Sequence, residues 1–494
     1  MTMQQFLNIV NGETLANGSG RWIDSEDPFT GKVWSQIPQG TTQDAEAAIA
    51  AAFDAGSSGP WASMTPTVRG KLLHRLADLI ERDAEKLATL EVRDNGKLRA
   101  EMLGQVRYLP EYYRYFGGLA DKIEGGVLPS DKPDMFTYTR HEPLGVVVCI
   151  TPWNSPLLLL TWKLAALLAA GNTAVIKPSE FTSASTLAFV ALFKEAGFPN
   201  GVVNTVTGYG HEIGAALTEH PKVAKVAFTG GDATGKAVYQ AAAKGMKHVS
   251  LELGGKSPNI IFDDANLDDA VKGAISGIFA ASGQSCIAGS RLLVQRSIYK
   301  EVAQRVTEFA ATAQLGNPMD EATQVGPITT RPQRQKVLEY IAVAKDEGAT
   351  CLLGGKVPDR ADLADGWFVE PTIFGDVTNA MRIAQEEVFG PVLSIIPFED
   401  EEDAIRIAND TIYGLAAGIW TGSIRRAFKM SNALRAGTVW VNTYRAVSFM
   451  APFGGYKQSG LGRENGQDAI YEFLQTKCVW INLAEGVPNP FVLR

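Results

Sequence analysis

A single thiol, Cys286, stands in the run Gly283-Gln284-Ser285-Cys286-Ile287-Ala288-Gly289-Ser290-Arg291, among small residues that leave a carbonyl carbon room to reach it. A thiolate is a strong nucleophile, and a free cysteine is already partly ionised near neutral pH. Read alone, the same residue is equally an inert core cysteine, so its meaning depends on partners elsewhere in the chain. Glu252, in Leu251-Glu252-Leu253-Gly254-Gly255-Lys256, is an acid inside an apolar strand. Burial there disfavours its charged form and raises its pKa, which suits a general base. Pairing with a nearby Lys or Arg is the alternative. Asn154, in Thr151-Pro152-Trp153-Asn154-Ser155-Pro156, carries an amide that can donate to a developing oxyanion, or simply turns the chain between two prolines.

Two further segments have the chemistry of a nucleotide site. Gly230-Gly231-Asp232-Ala233-Thr234-Gly235 follows a strand and opens a helix. Glycines there let the backbone approach a phosphate, and the helix N-terminus supplies N–H donors; a plain turn has the same composition. Gly208-Tyr209-Gly210-His211-Glu212-Ile213-Gly214 is a rival with one residue too many before its last glycine, and it ranks lower. Lys177-Pro178-Ser179-Glu180 ends another strand, where a carboxylate can accept from both ribose hydroxyls and repel a 2′-phosphate. A surface turn with capping Ser and Glu reads the same way.

The elements that must position these groups alternate strand and helix. Apolar runs at 145–150, 173–176, 202–206, 223–228 and 249–253 are separated by helical patterns at 157–170, 182–196, 213–219 and 234–244. Strands apolar throughout and spaced by helices imply a parallel sheet covered on both faces, a doubly wound unit that commonly holds dinucleotides. A second alternating block follows from about 255 to 442, with strands at 291–295, 391–396 and 438–442 and helices at 298–312, 334–347 and 401–409. Ahead of both, 67–92 and 100–116 read as two long amphipathic helices. Segments 137–141 and 477–482 look like strands outside either block, of the kind that makes an oligomer contact.

Bulk composition narrows the function. The chain has 494 residues, 45% hydrophobic and 20% charged, with a net charge of -8, which is ordinary for a globular protein. No dense basic run is present, so nucleic acid is not an expected partner. The four cysteines (Cys149, Cys286, Cys351 and Cys478) and five histidines show no metal-ligand spacing and no disulfide framework. The segment Met1 to Gly12 does not read as a signal peptide, and the most apolar stretch, 156–170, is interrupted by Lys163 and is too short to span a bilayer. A cytoplasmic protein is expected, with no membrane partner.

Taken in order, the segments 151–154, 176–180, 228–230, 251–256, 283–286, 386–391, 437–442 and 452–460 resemble the aldehyde dehydrogenase superfamily of hydrolytic, NAD(P)-dependent type, over essentially the whole chain. The resemblance implies that Cys286 attacks the aldehyde, that Asn154 and the Cys286 N–H hold the oxyanion, and that Glu252 activates water to hydrolyse the thioester. It implies NAD bound by Trp153, Lys177, Glu180, Gly230, Gly231, Glu387 and Phe389, with NADP left open by Lys177 and Ser179. It also implies an α/β architecture: a doubly wound parallel-sheet dinucleotide-binding domain (1–121 and 143–254), a second α/β catalytic domain (255–454) and a small β oligomerisation arm (122–142 and 471–494). Homodimers or homotetramers are expected.

This chain departs from the family pattern in three places. Gly231 replaces a frequent Ser, Ser155 a frequent aromatic, and Ala280 another aromatic. The last two remove bulk near the thiol, so a roomy pocket for an aromatic, cyclic or branched aldehyde is expected, lined by Tyr108, Ser155, Trp162, Ala280, Phe449, Met450 and Phe453. Arg445 and Arg107 either face the tunnel mouth or are solvated surface charges. A CoA-acylating enzyme, a thiol esterase indifferent to NAD, and a non-enzymatic binding or structural protein on the same fold are the competing readings. The presence of Glu252 argues against the first, and retention of all three catalytic residues against the last.

Overall fold

The computed structural model describes residues 3–16, 18–487 and 489–492. The start of the Met1 to Gly12 segment and positions 488, 493 and 494 of the expected arm lie outside the described residues.

The fully apolar runs do form parallel strands. A six-stranded sheet has the order Val203–Thr205, Thr173–Lys177, Val146–Ile150, Val223–Thr229, His248–Glu252 and Gly460–Leu461. The first five are parallel, and the last pairs antiparallel with the strand that ends in Glu252. Chain order reverses between Val146–Ile150 and Val223–Thr229. Such a reversal opens a crevice beyond the carboxyl ends of the strands. Asn154 and Gly230 lie in the loops on its two sides.

A seven-stranded sheet follows, ordered Thr350–Leu353, Thr372–Gly375, Val392–Phe398, Arg291–Gln295, Pro258–Ile261, Ala416–Trp420 and Thr438–Val441. Every pairing in it is parallel except that of Thr350–Leu353, on one edge. The segment carrying Cys286 runs into its central strand Arg291–Gln295. The expected outlying strands are present and longer than the pattern suggested: Met135–Pro143 pairs antiparallel with Leu474–Asn482 and with Val127–Leu128. Its outer faces leave Val127, Phe136, Trp480 and Ile481 exposed.

One expectation is corrected. The helix read at 67–92 is two helices, Pro66–Arg82 and Ala84–Asn95, broken at Asp83. Asp83 sits near φ -96 and ψ 12, outside the helical well. Its carboxylate binds its neighbour Arg82; Asp favours such breaks because its short side chain competes for local polar groups. The N-terminal strands Trp22–Asp27 and Lys32–Pro38 and the Ala-rich helix Thr42–Ser57 carried no reading from sequence. That helix starts in a capping box, with Thr41 and Asp44 bonding each other's backbone N–H.

Candidate functional site

The thiol loop is built by a stretch of left-handed backbone. Ala281 and Ser282 have φ of 55° and 52°, and Gly283 continues at 70°. Non-glycine residues pay strain in this region and hold it only when neighbours over-determine it. Here the Ala281 N–H donates to Glu101 Oε1 at 2.8 Å, the Ser282 hydroxyl to the Gly326 carbonyl at 2.8 Å, and the Thr329 N–H to Gln284 Oε1 at 2.8 Å. A Cβ at Gly283 would stand 2.0 Å from the Gly390 carbonyl oxygen, so only glycine allows the loop to pass there. Cys286 is half-buried rather than exposed as its small neighbours suggested. Burial, followed by the nearby carboxylates of Glu387 and Glu252, pushes its thiol up to about 12. Backbone N–H groups of Ile287 and of Cys286 itself point at the sulfur and act the other way.

Glu252 ends its strand 4% exposed, and neither carboxylate oxygen has a hydrogen-bond partner among the described residues. The paired-carboxylate alternative therefore has no counterpart in the structure. Burial raises its pKa well above the ordinary value, and the charge of Glu464 adds to this. Glu464 forms a buried ion pair with Lys163 at 2.5 Å, and Lys163 also donates to the Thr229 hydroxyl at 2.6 Å. Gly255, just beyond Glu252, packs against the thiol loop: a Cβ there would lie 2.5 Å from the Cys286 carbonyl oxygen.

Asn154 is buried, and its amide donates to the Gln284 carbonyl at 3.1 Å. An amide carries two N–H donors, so one remains for a ligand. Arg291 braces the whole corner. It is fully buried and donates to the carbonyls of Lys256, Ile407 and Ala408 and to Asn379 Oδ1, all at 2.9–3.0 Å.

A cleft of about 600 Å³ brings these groups together with the expected nucleotide-site residues. Trp153, Asn154, Lys177, Glu180, Gly230, Gly231, Glu252, Cys286, Glu387 and Phe389 all line it. The helix Asp232–Ala243 begins at this wall, with Gly231 as its N-cap. A Cβ on Gly231 would meet nothing within 4 Å, so the glycine leaves the cleft open there. Lys177 Nζ lies 3.2 Å from Glu180 Oε2, and the Trp153 and Phe389 rings meet edge to face at 5.2 Å. Gly210 and Gly214 of the lower-ranked glycine segment border the same cleft, so both segments contribute to it. Glu387 accepts from the Gly255 N–H at 3.0 Å, and burial pushes it up to about 7.

The residues expected to line a substrate pocket gather elsewhere. Phe449 packs with Tyr108 and Tyr112 at 5.8 Å each, and Trp162 with Phe453 at 4.8 Å. Neither these nor Ser155 and Ala280 border the cleft; the aromatic residues pack with Cys286 on the same core. Met450 is 62% exposed and does not join them. Arg107 is an exposed partner of Glu85, whereas Arg445 is half-buried and donates to the Ser276 carbonyl.

Several site residues were not singled out from sequence: Glu464, Tyr112, Glu101, Lys97, and Tyr413. The last donates to Asp232 at 2.5 Å and so ties the glycine turn to the seven-stranded sheet. Lys163, which interrupts an apolar helix, carried a legible signal, because a lone charge in such a run needs a partner. Among the described residues, no group of three His, Cys, Asp or Glu could hold a metal ion, and no helix is long and apolar enough to cross a membrane.

Comparison with known proteins gives consistent matches along the chain. The family model for the aldehyde dehydrogenase family matches residues 15–479. The (Z)-2-((N-methylformamido)methylene)-5-hydroxybutyrolactone dehydrogenase of Acinetobacter baylyi is 47% identical, with 100% of each chain covered. An aldehyde dehydrogenase of Emericella nidulans is 46% identical over 97% of this chain and 95% of its own. Among solved structures, betaine aldehyde dehydrogenase from Staphylococcus aureus in complex with NAD+ superposes with a TM-score of 0.97 at 43% identity, covering 99% of this chain and 97% of that one. The NAD+ complex of an aldehyde dehydrogenase from Bacillus cereus gives 0.95 at 46% identity, covering 97% of each.

Proposed function

This chain belongs to the aldehyde dehydrogenase family, and from that premise we propose that it oxidises an aldehyde to the carboxylic acid with NAD, through an adduct on Cys286. The observation that carries this reading is one cleft lined by a half-buried thiol, a buried carboxylate without hydrogen-bond partners among the described residues, and a glycine turn at a helix N-terminus.

The cleft's chemistry fits the dinucleotide. Gly230 and Gly231, with the first turn of Asp232–Ala243, would hold the diphosphate, and Lys177 with Glu180 the adenosine ribose. Trp153, Glu387 and Phe389 would hold the nicotinamide end. NAD, when bound, supplies the acceptor for the hydride that leaves the adduct. The Cys286 sulfur forms a bond to the carbonyl carbon as the carbonyl π bond opens. The free Asn154 N–H and the Cys286 N–H then stabilise the oxyanion. Glu252 in its ionised form takes a proton from water, whose oxygen attacks the resulting thioester and frees the thiol with the acid product. Burial raises the pKa of both groups, so a positive charge brought beside the sulfur would favour the thiolate.

Small side chains at Ser155 and Ala280 support a roomy substrate side for an aromatic, cyclic or branched aldehyde. The Acinetobacter baylyi relative is named for a ring-bearing hydroxybutyrolactone. The exposed apolar face of Leu474–Asn482 supports self-association as a homodimer or homotetramer. Residues 1–121 and 143–254 form the cofactor domain in this reading, 255–454 the catalytic domain, and 122–142 with 471–494 the arm.

The test is NADH formation from a panel of plain and substituted aldehydes without CoA, beside Cys286→Ala. Turnover that is lost in the variant is the expected result. Turnover that persists in Cys286→Ala, or that requires CoA, would overturn it.

A further inference from the structure

Lys97 is 3% exposed, and the mechanism above does not use it. Its backbone is held firmly. The helix Ala84–Asn95 ends at Gly96 in the left-handed conformation, and Asn95 Oδ1 accepts from the Lys97 N–H at 2.9 Å. Its ammonium donates to the Ser155 hydroxyl at 2.8 Å and has no other hydrogen-bond partner among the described residues. No carboxylate reaches it at ion-pair distance among those residues. Its electrostatic neighbours are Glu101, Arg445, Glu91 and, most weakly, Cys286.

A buried ammonium with two unused donors is expensive unless something accepts from them. An ammonium has no acceptor, so Ser155 Oγ must accept from Lys97, and its own proton is left to donate elsewhere. No acceptor for that proton is found among the described residues. Ser155 stands at the N-cap position of the helix Pro156–Ala169 without a side-chain capping bond, and the Leu157 N–H of the first turn already donates to Glu91 Oε1 at 3.0 Å. Two kinds of donor therefore meet next to Asn154, the Lys97 ammonium and the Ser155 hydroxyl. Glu101, the charge with the largest electrostatic influence on Lys97, uses one oxygen on the Ala281 N–H and leaves the other buried and unpartnered among the described residues; the side-chain oxygen of Gln105, one turn further along the same helix, is also unpartnered among them. Unused donors near an unused acceptor match a group that both accepts and donates, which a hydroxyl does.

We propose that Lys97 and Ser155 bind a hydroxyl oxygen of the substrate, with Glu101 receiving its proton in a hydrogen bond, so that the preferred substrate is an aldehyde hydroxylated close to the carbonyl. This rests on the aldehyde-oxidising reading of the cleft. Ser155 and Lys97 are then both specificity-determining residues that touch the substrate hydroxyl, and Lys97 also orients the Ser155 hydroxyl. Sites built to bond a substrate hydroxyl discriminate strongly against the analogue that lacks it, because their own polar groups are then left unpaired.

The experiment compares kcat/KM at saturating NAD for lactaldehyde against propanal, and for glyoxylate against acetaldehyde, in the full-length enzyme, Ser155→Ala, Ser155→Thr and Lys97→Met. The expected result is a lactaldehyde preference of about tenfold or more. That ratio should fall toward unity in Ser155→Ala, mainly through KM, and return in Ser155→Thr, which keeps a hydroxyl. Lys97→Met should lose the preference too; if circular dichroism shows that it does not fold, the Ser155 pair decides the question. The proposal is overturned by a lactaldehyde ratio near one, by a Ser155→Ala enzyme that keeps the ratio while kcat falls on both aldehydes, or by a preference for glyoxylate alone. No NADH from any aldehyde, propanal included, would instead be the failure of the proposed function.

Discussion

Replacing Arg291 by lysine keeps the positive charge and nearly the length, yet it should damage both stability and activity. The guanidinium is fully buried and makes four hydrogen bonds, to three carbonyls and one side-chain amide oxygen spread around its planar edge. A lysine offers its donors from a single nitrogen and can keep at most two of these in good geometry. Two lost bonds to a charged donor, at about 1.5–3 kcal/mol each, give roughly 3–6 kcal/mol. The loss has a functional address. Arg291 joins the thiol loop, which ends at its own position, to the Lys256 carbonyl at the end of the Glu252 segment. Urea unfolding followed by tryptophan fluorescence, with NADH formation measured on the same samples, checks both effects. The midpoint should fall and activity should be lost at lower urea than in the parent. An Arg291→Lys enzyme that is fully active and destabilised by less than about 1 kcal/mol would refute the argument, since a change that small belongs to an unremarkable surface position.

Other consequences can be checked with the same assay. Glu252→Gln should keep a first-turnover burst of NADH and lose steady-state rate by about 10²–10⁴-fold, as expected when a general base is removed after acylation; loss of the burst as well would place Glu252 earlier in the reaction. Burial raises the pKa of both Glu252 and Cys286, and the proposed mechanism uses each in its deprotonated form, so kcat/KM should rise with pH from neutral into the alkaline range. A profile that is flat or falling over that range contradicts the assignment. Gly231→Ser places a side chain in open space, so it should leave stability within about 0.5 kcal/mol while tightening NAD binding through a new hydroxyl at the diphosphate wall. Calorimetric titration with NAD reads this directly, and weaker binding would show that the turn does not face the cofactor.

The parallel strands were legible because a strand buried on both faces is mostly apolar, as Val146–Ile150 is throughout and Thr173–Lys177 is between its polar ends. The doubly wound order followed from their alternation with helices. The break at Asp83 was not legible, since the residues on both sides are good helix formers and the interruption is one residue wide. At the site, Cys286, Glu252 and Asn154 stood out because each breaks the chemistry of its surroundings, and the structure puts all three on one cleft. What sequence did not reveal were pairings across great separation. Lys163 meets Glu464 and Lys97 meets Ser155 only through the fold, and no local pattern encodes either contact. The aromatic residues expected at the pocket do cluster, but their distance from the cleft depends on helix packing that spacing does not fix.

The strand Gly460–Leu461 has a consequence for how the chain is made. It completes the six-stranded sheet by pairing Gly460 with Glu252, whereas the neighbouring strands come from far earlier in the chain. On the ribosome, His248–Glu252 is therefore finished long before its outer neighbour exists. Until nearly the whole polypeptide has emerged, this strand offers an open edge of unpaired backbone, a template for pairing with other nascent chains. Maturation of the strand that carries Glu252 thus waits until late in translation, and premature termination before Gly460 would yield a product prone to aggregate.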